Sequence, residues 1–433
     1  MTRTIRVEHL ARVEGHGGIT VELEGDDIRQ VRFDVFEGLR LFESLVAGRS
    51  WEDVSPIVSR ICAICSVAHS LTSIKATESA FGVVPTPQTE RLRDLLFRGE
   101  NIESHALHLF LLAAPDYLGY PSGPAMAADH PELVALGLRL KKLGNLIQEV
   151  LGGRPIHPVN AIPGGFGALP TPADLARLQA ALEQGVADCR TAVEFLKTLP
   201  PADFCSSDTV FAAMEPTEGY GYWAGDRVVF LADGVRRTVP AARLRELVTE
   251  TPVPHSHAKH SAYGGRPFMV GALARFTLFG DRLCPAAKEA AKELGLTVPS
   301  GNPMDNNAAQ AVELVHDVEQ ALAQVRYLVA VGLAPEEPVP VVPGEGGATV
   351  VTEAPRGILL HGYTYDATGR IVTAEVITPT AFNAASVEDH FRHVIEEDPK
   401  EDDAALTRKL EMVARAYDPC ISCSVHLVRR RAG

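Results

Sequence analysis

Two cysteine pairs near opposite ends of the 433-residue chain constrain its fold more than any other feature. Each pair has the spacing CxxC and is followed by a histidine: Cys62, Cys65 and His69 in RICAICSVAH, and Cys420, Cys423 and His426 in DPCISCSVH. A single CxxC can be a redox dithiol, half of a zinc site or two small buried residues. Two such pairs can share one site only if the fold brings both ends of the chain together.

The spacing of the pairs favours a buried metal site assembled by the finished fold. Zinc ribbons place their two CxxC units about 15–20 residues apart, because the metal organises a small local structure. Soft thiolates favour zinc, iron–sulfur, copper(I) or nickel over magnesium or calcium, and spacing alone leaves these soft-metal alternatives open. The other cysteines, Cys189, Cys205 and Cys284, have no CxxC neighbour and are expected to be small buried side chains.

Composition excludes several classes of function. The chain is 46% hydrophobic and 22% charged, with a net charge of −14 and no basic block, which argues against nucleic acid and anionic membranes as partners. No apolar run approaches the ~20 residues of a membrane span, and the N-terminus does not resemble a signal peptide. We therefore expect a cytoplasmic protein without a membrane span.

Hydrophobic periodicity predicts an α+β, mainly helical fold with a long-helix core and small peripheral β-sheets. The longest predicted helices cover residues 89–114, 131–151, 172–196 and 306–331, with further helices at 281–294 and 402–417. Strands are predicted before residue 40, around the Asp233-Gly234 turn, and on both sides of Ala367-Thr368-Gly369. No linker divides the chain, so we expect a single domain over residues 1–433, with a possible β insertion at about 222–248.

Several further blocks accompany the two cysteine motifs. They are RVEGHGG (12–18), RLFESLVAGR (40–49), SHALHLFLLAAPDY (104–117), GGRPIHP (152–158), GALAR (271–275), EAPRG (353–357) and PTAFN (379–383). In this order and together with both cysteine motifs, they resemble the large, catalytic subunit of [NiFe]-hydrogenases. The resemblance spans nearly the whole chain, although Ala63 and Ser66 replace the glycine and proline frequent in that family.

The resemblance implies a nickel–iron centre. Cys62, Cys65, Cys420 and Cys423 would bind nickel, and Cys65 and Cys423 would bridge to an iron that carries cyanide and carbon monoxide. Such a centre would split H2 reversibly, with the Cys420 thiolate taking a proton that Glu14 then accepts. The resemblance places the Arg356 guanidinium on the iron side, where a permanent charge suits cyanide.

The resemblance also assigns residues around this centre. Pro379 and Thr380 would form the pocket wall facing the cyanide, and His69 would donate to a bridging sulfur. Glu43 and His426 would hold a separate magnesium or iron ion. His255, His257 and His260 have a spacing that could serve a metal, but the family has a loop there with no ligand role.

Electron transfer requires partners, because the chain has no GxGxxG fingerprint and no further cysteine spacing that would hold an iron–sulfur cluster. We expect no flavin or iron–sulfur cluster in this chain, an iron–sulfur small subunit beside it, and flavin- and iron–sulfur-bearing NAD(P)-reductase subunits behind that. Ser104 and the compact length favour the cytoplasmic NAD(P)-linked, sulfhydrogenase-type branch. Heterodisulfide-reductase-linked and deazaflavin-linked enzymes are the alternatives within the family.

Two non-catalytic alternatives also follow from the sequence. A complex-I-like scaffold shares the ancestry but lacks the cysteine pairs, all four of which are present here, and a zinc-stabilised scaffold would hold zinc alone. Family precursors are cut after the histidine of the second motif by a maturation protease. The resemblance therefore implies that residues 427–433, LVRRRAG, are removed; the alternative is that this short tail stays uncut and is routed directly to solvent.

Overall fold

Long helices form most of the structure, and small sheets lie around them. The computed structural model describes residues 2–38 and 41–425. It is 48% helical, which confirms the predicted mainly helical α+β fold. None of the described helices combines the length and the apolar composition needed to cross a membrane.

The described strands form small, mostly antiparallel sheets. They are β1 Thr2–Val7, β2 Gly17–Glu24, β3 Asp27–Val35, β4 Ala161–Ile162, β5 Gly165–Phe166, β6 Val210–Met214, β7 Arg227–Ala232, β8 Val235–Pro240, β9 Val248–Val253, β10 Ser256–Tyr263, β11 Phe268–Met269, β12 Gly346–Ala354, β13 Gly357–Tyr365 and β14 Ile371–Ile377. Their order is β1-β2-β3, β11-β6-β7-β8 and β12-β13-β14, with two-stranded pairs β4-β5 and β9-β10. The predicted hairpin around Asp233-Gly234 is β7-β8, and it continues a sheet with β6 and β11.

The described helices include counterparts of all six that periodicity predicts. They are α1 Phe42–Val46, α2 Trp51–Val58, α3 Ser66–Phe81, α4 Pro87–Leu107, α5 Ala114–Leu118, α6 Gly123–Met126, α7 Pro131–Gly152, α8 Pro172–Leu196, α9 Ala272–Phe279, α10 Pro285–Glu293, α11 Asp305–Val331, α12 Pro379–Glu397 and α13 Asp403–Ala416. Helix α8 begins where Thr171 and Asp174 form a reciprocal capping box with proline at the first helical position. Local signals therefore set its start.

Two predicted helices have different bounds in the structure, and several described helices, α3, α9 and α12 among them, were not assigned from the sequence. The helix predicted over residues 89–114 ends as α4 at Leu107, where a single π-helical stretch, His108–Ala113, follows. Helix α10 begins at Pro285 rather than at residue 281, because Cys284 is extended and proline favours the first helical position. Helix α12 was not predicted. It is buried along most of its length, so it lacks the polar face that makes periodicity visible.

The packing of these elements brings the two ends of the chain together. Helix α3 packs on strands β12 and β13, and α11 packs on α4 and α8. Helix α13 contacts β1, so the segment after α13 lies beside the loop that joins β1 to β2. This loop, the N-terminus of α3 and the residues after α13 surround the candidate site described next.

Candidate metal centre

The first cysteine pair lies at the start of helix α3. Cys62 follows a single 3-10 turn, Ser59–Ile61, and Cys65 is the residue immediately before the helix. The Cys65 backbone N–H donates to Cys62 Sγ at 3.3 Å. The buried Glu100 carboxylate on α4 accepts hydrogen bonds from the N–H groups of Val67 (2.6 Å) and Ala68 (3.1 Å). These bonds satisfy the free N–H groups of the first turn and fix the position of the pair.

The second cysteine pair lies in a short 3-10 turn after helix α13. Cys420 precedes this turn, Ile421–Cys423, and the Cys420 N–H donates to Thr380 Oγ1 at 2.9 Å. The Thr378 hydroxyl donates to the Cys423 carbonyl at 3.0 Å. The N-terminal end of α12 therefore holds the second pair on two sides.

All four thiols converge in one buried cluster of free cysteines. The Sγ–Sγ distance is 3.2 Å between Cys62 and Cys420, 3.6 Å between Cys65 and Cys423, and 2.7 Å between Cys420 and Cys423. Four thiolates placed tetrahedrally around one metal ion at about 2.3 Å would lie about 3.8 Å apart. A small outward movement of the sulfurs would therefore admit an ion, and the donor set fits a soft metal.

The electrostatics of the cluster also fit a bound cation. Burial disfavours a thiolate at Cys62, but hydrogen bonds from Cys420, Cys423 and Cys65 and the charge of Arg356 outweigh it and hold the Cys62 pKa well below the ordinary thiol value. Burial and the neighbouring thiols raise the pKa of Cys420 well above it. Without a cation the cluster therefore stabilises one thiolate and resists the others, whereas a metal ion would stabilise all four.

Glu14 lies directly against the second pair. Its Oε2 accepts from Cys420 Sγ and from the Ser422 N–H, both at 3.1 Å, and the Ser422 hydroxyl donates to Oε1. Its main chain forms a parallel bridge with Cys420, in which the Ile421 N–H donates to the Glu14 carbonyl at 2.8 Å. A Cβ on the next residue, Gly15 (φ +86°), would lie 2.7 Å from the Ser422 nitrogen, so only glycine allows this close approach.

Arg356 is a buried guanidinium beside the cluster. Its Nε donates to the Asp418 carbonyl at 2.6 Å and its Nη2 to Asp418 Oδ1 at 2.9 Å. Asp418 has a positive φ of 49°, an uncommon conformation that lets its carbonyl and carboxylate both face the guanidinium. Within the described residues, Arg356 Nη1 is buried without an acceptor, which is costly unless a further group occupies the site.

Asp116 joins the two segments that carry Glu14 and Cys420. Its carboxylate accepts from Arg415 Nε (2.6 Å) and Nη2 (2.8 Å) at the end of α13, and it also pairs with Arg12. Arg415 additionally donates to the Ala11 carbonyl at 3.2 Å. These charge-assisted hydrogen bonds fix the position of the Glu14 loop relative to the second cysteine pair.

Comparisons with known proteins agree with this geometry. The sequence profile described as nickel-dependent hydrogenase matches residues 40–137 and 245–426. Over 427 residues the chain is 40% identical to the alpha subunit of sulfhydrogenase 1 from Pyrococcus furiosus, covering 98% of each chain. The chain belongs to the nickel-dependent hydrogenase family. It is a large subunit of that family and an oxidoreductase acting on H2.

Further relatives and structures are consistent with this assignment. The hydrogenase is 33% identical over 411 residues to a subunit of the vhu F420-non-reducing hydrogenase from Methanocaldococcus jannaschii, covering 89% of this chain and 96% of that one. The crystal structure of an NAD+-reducing [NiFe]-hydrogenase matches with a TM-score of 0.86 at 28% identity, over 98% of this chain and 99% of that one. A [NiFeSe]-hydrogenase from Dm. baculatum, at 23% identity and TM-score 0.79, shares the fold over 98% and 100% of the two chains.

Other residues singled out in the sequence have clear positions in this hydrogenase. Pro379 and Thr380 are buried in the first turn of α12. His69 Nδ1 lies 3.1 Å from His361 Nε2. Glu43 Oε1 accepts from the Val376 N–H at 2.8 Å, and burial raises the Glu43 pKa despite this bond. His426 and the 427–433 tail lie outside the described residues, so their assignments remain predictions.

Several residues that shape the centre were not identified from the sequence. Asp418 and Ser422 lie inside the second cysteine motif, so their proximity to the paired cysteines was the available signal. Glu100, Asp116 and Arg415 act through contacts distant in sequence, and only Asp116 lies in a recognised block, residues 104–117. Charged residues close to the sequence motifs would have been the best available indication of these supporting contacts, because a charged residue that is buried is usually paired.

Proposed function

We propose that Cys62, Cys65, Cys420 and Cys423 hold the nickel of this hydrogenase, and that Cys65 and Cys423 also hold an iron. The observation that carries this assignment is the convergence of four buried, unpaired thiols whose ligand atoms all lie within 4.8 Å of one another. When bound, this centre would supply the metal chemistry for reversible cleavage of H2. The zinc-scaffold and complex-I-like alternatives do not account for hydrogenase relatives that cover 98% of the chain.

In this proposal Glu14 moves the proton. The Cys420 sulfur lies 3.1 Å from Glu14 Oε2, which is direct hydrogen-bond contact, so the carboxylate can take a proton from the thiol and return it in the reverse reaction. Ser422 orients the carboxylate from the opposite side through its N–H and its hydroxyl. The Ile421 N–H donates a hydrogen bond to the Glu14 carbonyl, and this main-chain contact keeps the Glu14 carboxylate close to the Cys420 sulfur.

Arg356 supports the proposed iron and its cyanide and carbon monoxide ligands. Its Nη1 is a buried donor without an acceptor among the described residues, and a cyanide nitrogen is an acceptor of suitable charge. Asp418 fixes the plane of the guanidinium through two hydrogen bonds, so the third donor has a defined direction. We assign Pro379 and Thr380 to the same pocket, because Thr380 Oγ1 binds the Cys420 N–H.

We further propose a separate magnesium or iron ion bound by Glu43 and His426. Burial raises the pKa of Glu43, so a nearby cation would favour its ionised form. The family match ends at His426, and a maturation protease that cuts after this residue would remove 427–433. Three arginines in that tail make its burial beside the ion costly. Intact mass of the active protein measures whether the chain ends at His426.

Electrons would leave through an iron–sulfur small subunit. From there they would reach NAD(P) through flavin- and iron–sulfur-bearing reductase subunits, in the cytoplasm. The higher identity to a sulfhydrogenase chain, 40% against 33% for a chain of an F420-non-reducing hydrogenase, favours this branch. So does the similarity to an NAD+-reducing enzyme at a TM-score of 0.86. Heterodisulfide-reductase-linked and deazaflavin-linked assemblies are the competing branches.

The test of this function is H2-dependent reduction of an artificial dye and of NAD(P)+ by the complex purified with its partner subunits. Replacing Cys420 by serine should abolish both activities, because it removes a ligand and the proton donor to Glu14. The matched control is Cys284→Ser, a half-buried cysteine outside the cluster, which should keep both. Dye reduction without NAD(P)+ reduction would reject the NAD(P) branch alone, and unchanged activity in Cys420→Ser would reject the centre.

A further inference from the structure

A second cluster of side chains of metal-ligand type lies where the β9-β10 hairpin packs on helix α12. It consists of His255 in the turn of the hairpin, His260 on β10 and Glu388 on α12, and we call it the hairpin triad. One ligand atom from each of these residues lies within 4.8 Å of the other two. The triad shares no residue with the cysteine cluster, and none of the hydrogenase motifs includes it.

The distances within the hairpin triad are close to those of a metal site. His255 Nε2 lies 2.7 Å from Glu388 Oε1, and His260 Nε2 lies 3.7 Å from the same oxygen. The two imidazole rings are nearly perpendicular, with centroids 5.6 Å apart. Ligands placed tetrahedrally around zinc at about 2.0–2.1 Å are about 3.3 Å apart. The two observed distances fall on either side of this value, so small side-chain rotations would suffice.

The surrounding residues hold the triad in place and leave one ring nitrogen of His260 without a hydrogen-bond partner among the described residues. The Phe33 N–H on β3 donates to Glu388 Oε1 at 2.8 Å, which fixes the carboxylate. The pairing of β9 with β10 is irregular between Ser256 and His260, and such bulges redirect side chains. Within the described part of the chain, His260 Nε2 is buried and has no hydrogen-bond partner. A metal ion would use this nitrogen.

Burial also favours the protonation state of His260 that can bind a metal ion. It lowers the His260 pKa, although the Glu388 charge opposes this shift, so the imidazole favours its neutral form. Only a neutral imidazole is a metal ligand. The nearby His257 differs, because it is exposed and its Nδ1 lies 2.8 Å from the Glu37 carbonyl.

We propose that the hairpin triad binds a divalent ion of the zinc class. Two imidazoles and one carboxylate suit zinc and disfavour magnesium and calcium, which prefer oxygen ligands throughout. The three side chains are 16–17% exposed, so the ion can enter from solvent and a water can complete its coordination. The ion would fasten the β9-β10 hairpin to α12, whose first turn also contacts the second cysteine pair.

Zinc binding to the full-length hydrogenase with its nickel–iron centre loaded tests this proposal. After removal of loosely bound metal by a mild chelator, calorimetry with Zn2+ should show one site in the wild type and in His257→Ala. In His260→Ala the affinity should fall by about tenfold or more, since loss of a ligand costs at least as much as loss of a supporting contact. Zinc should also slow amide hydrogen exchange in β9-β10 in the wild type and in His257→Ala.

Two additional measurements keep the result unambiguous. Glu388→Gln retains an oxygen that can accept from the Phe33 N–H, so this variant should fold yet bind zinc about tenfold more weakly, and it decides the outcome if His260→Ala fails to fold. Co2+ bound at the triad should give ligand-field bands without thiolate charge-transfer absorption. No zinc site in the wild type, equal affinity in wild type and Glu388→Gln, or thiolate absorption of the added Co2+ would each overturn the proposal.

Discussion

Replacing Glu14 by glutamine is the sharpest test of the proposed proton transfer. The amide has nearly the same shape as the carboxylate, so its oxygen can still accept from the Ser422 N–H and its nitrogen can donate to the Ser422 hydroxyl. The amide cannot take a proton from Cys420 Sγ, which lies 3.1 Å from the carboxylate in the wild type. Nickel and iron should therefore stay bound while proton movement fails.

The size of the effect follows from the chemistry that is removed. Loss of a positioned general base costs roughly 10²- to 10⁴-fold in rate. At about 1.36 kcal/mol per tenfold, the barrier to proton exchange should rise by about 2.7–5.4 kcal/mol. Glu14→Asp keeps an acid–base group but withdraws it by about 1.5 Å, one carbon–carbon bond, so it should fall between the wild type and Glu14→Gln.

Isotope exchange between H2 and deuterated water, measured together with nickel and iron content, is the assay. The control is Glu8→Gln, the same substitution at an exposed position of the N-terminal segment, which should exchange at the wild-type rate. Wild-type exchange in Glu14→Gln would refute the role of Glu14 as the proton acceptor. Loss of nickel in Glu14→Gln but not in Glu8→Gln would show instead that Glu14 is structural.

Three further predictions follow from other contacts. Arg356→Lys removes the guanidinium fork at Asp418, and we expect H2 oxidation to fall by about 10²–10³-fold with a shifted infrared cyanide band and unchanged nickel content; an unshifted band would contradict the contact. Gly144→Ala puts a Cβ 2.4 Å from the Gly99 carbonyl, so calorimetry should show a loss of about 1–3 kcal/mol, unlike Leu138→Ala on the exposed face of the same helix. Burial and the Arg98 charge lower the His316 pKa to about 3. Below pH 6.5 the unfolded chain therefore binds a proton at this residue that the folded protein excludes, so His316 should contribute a loss of stability of about 1.4 kcal/mol per pH unit down to pH 3, and urea titrations of His316→Gln should differ from the wild type by this contribution.

Local sequence signals were sufficient for most of the long helices. Helix α8 matches its predicted range, residues 172–196, because a capping residue and proline mark its start and an apolar stripe continues to its end. The β13-β14 hairpin also follows the predicted turn. Helix α12 was missed because its buried faces remove the contrast between apolar and polar positions, and tertiary packing decides its structure.

The candidate centre was predictable only where a motif carries it. The cysteine pairs and Glu14 lie in recognisable motifs, and the structure brings them into contact. The bonds of Arg415 to Asp116 join residues 299 positions apart, and nothing local in the sequence pairs those charges. The hairpin triad likewise depends on Glu388, which the sequence gives no reason to place beside two histidines.

Metal analysis of the protein purified without oxygen tests the central claim most directly. The account predicts about one nickel atom per chain together with at least one iron atom, because four soft thiolates select such metals and shared sulfurs can hold two. The nickel should be lost in Cys420→Ser and retained in Cys284→Ser. Zinc alone at the cysteine cluster, with no nickel in protein that is otherwise intact, would contradict the account.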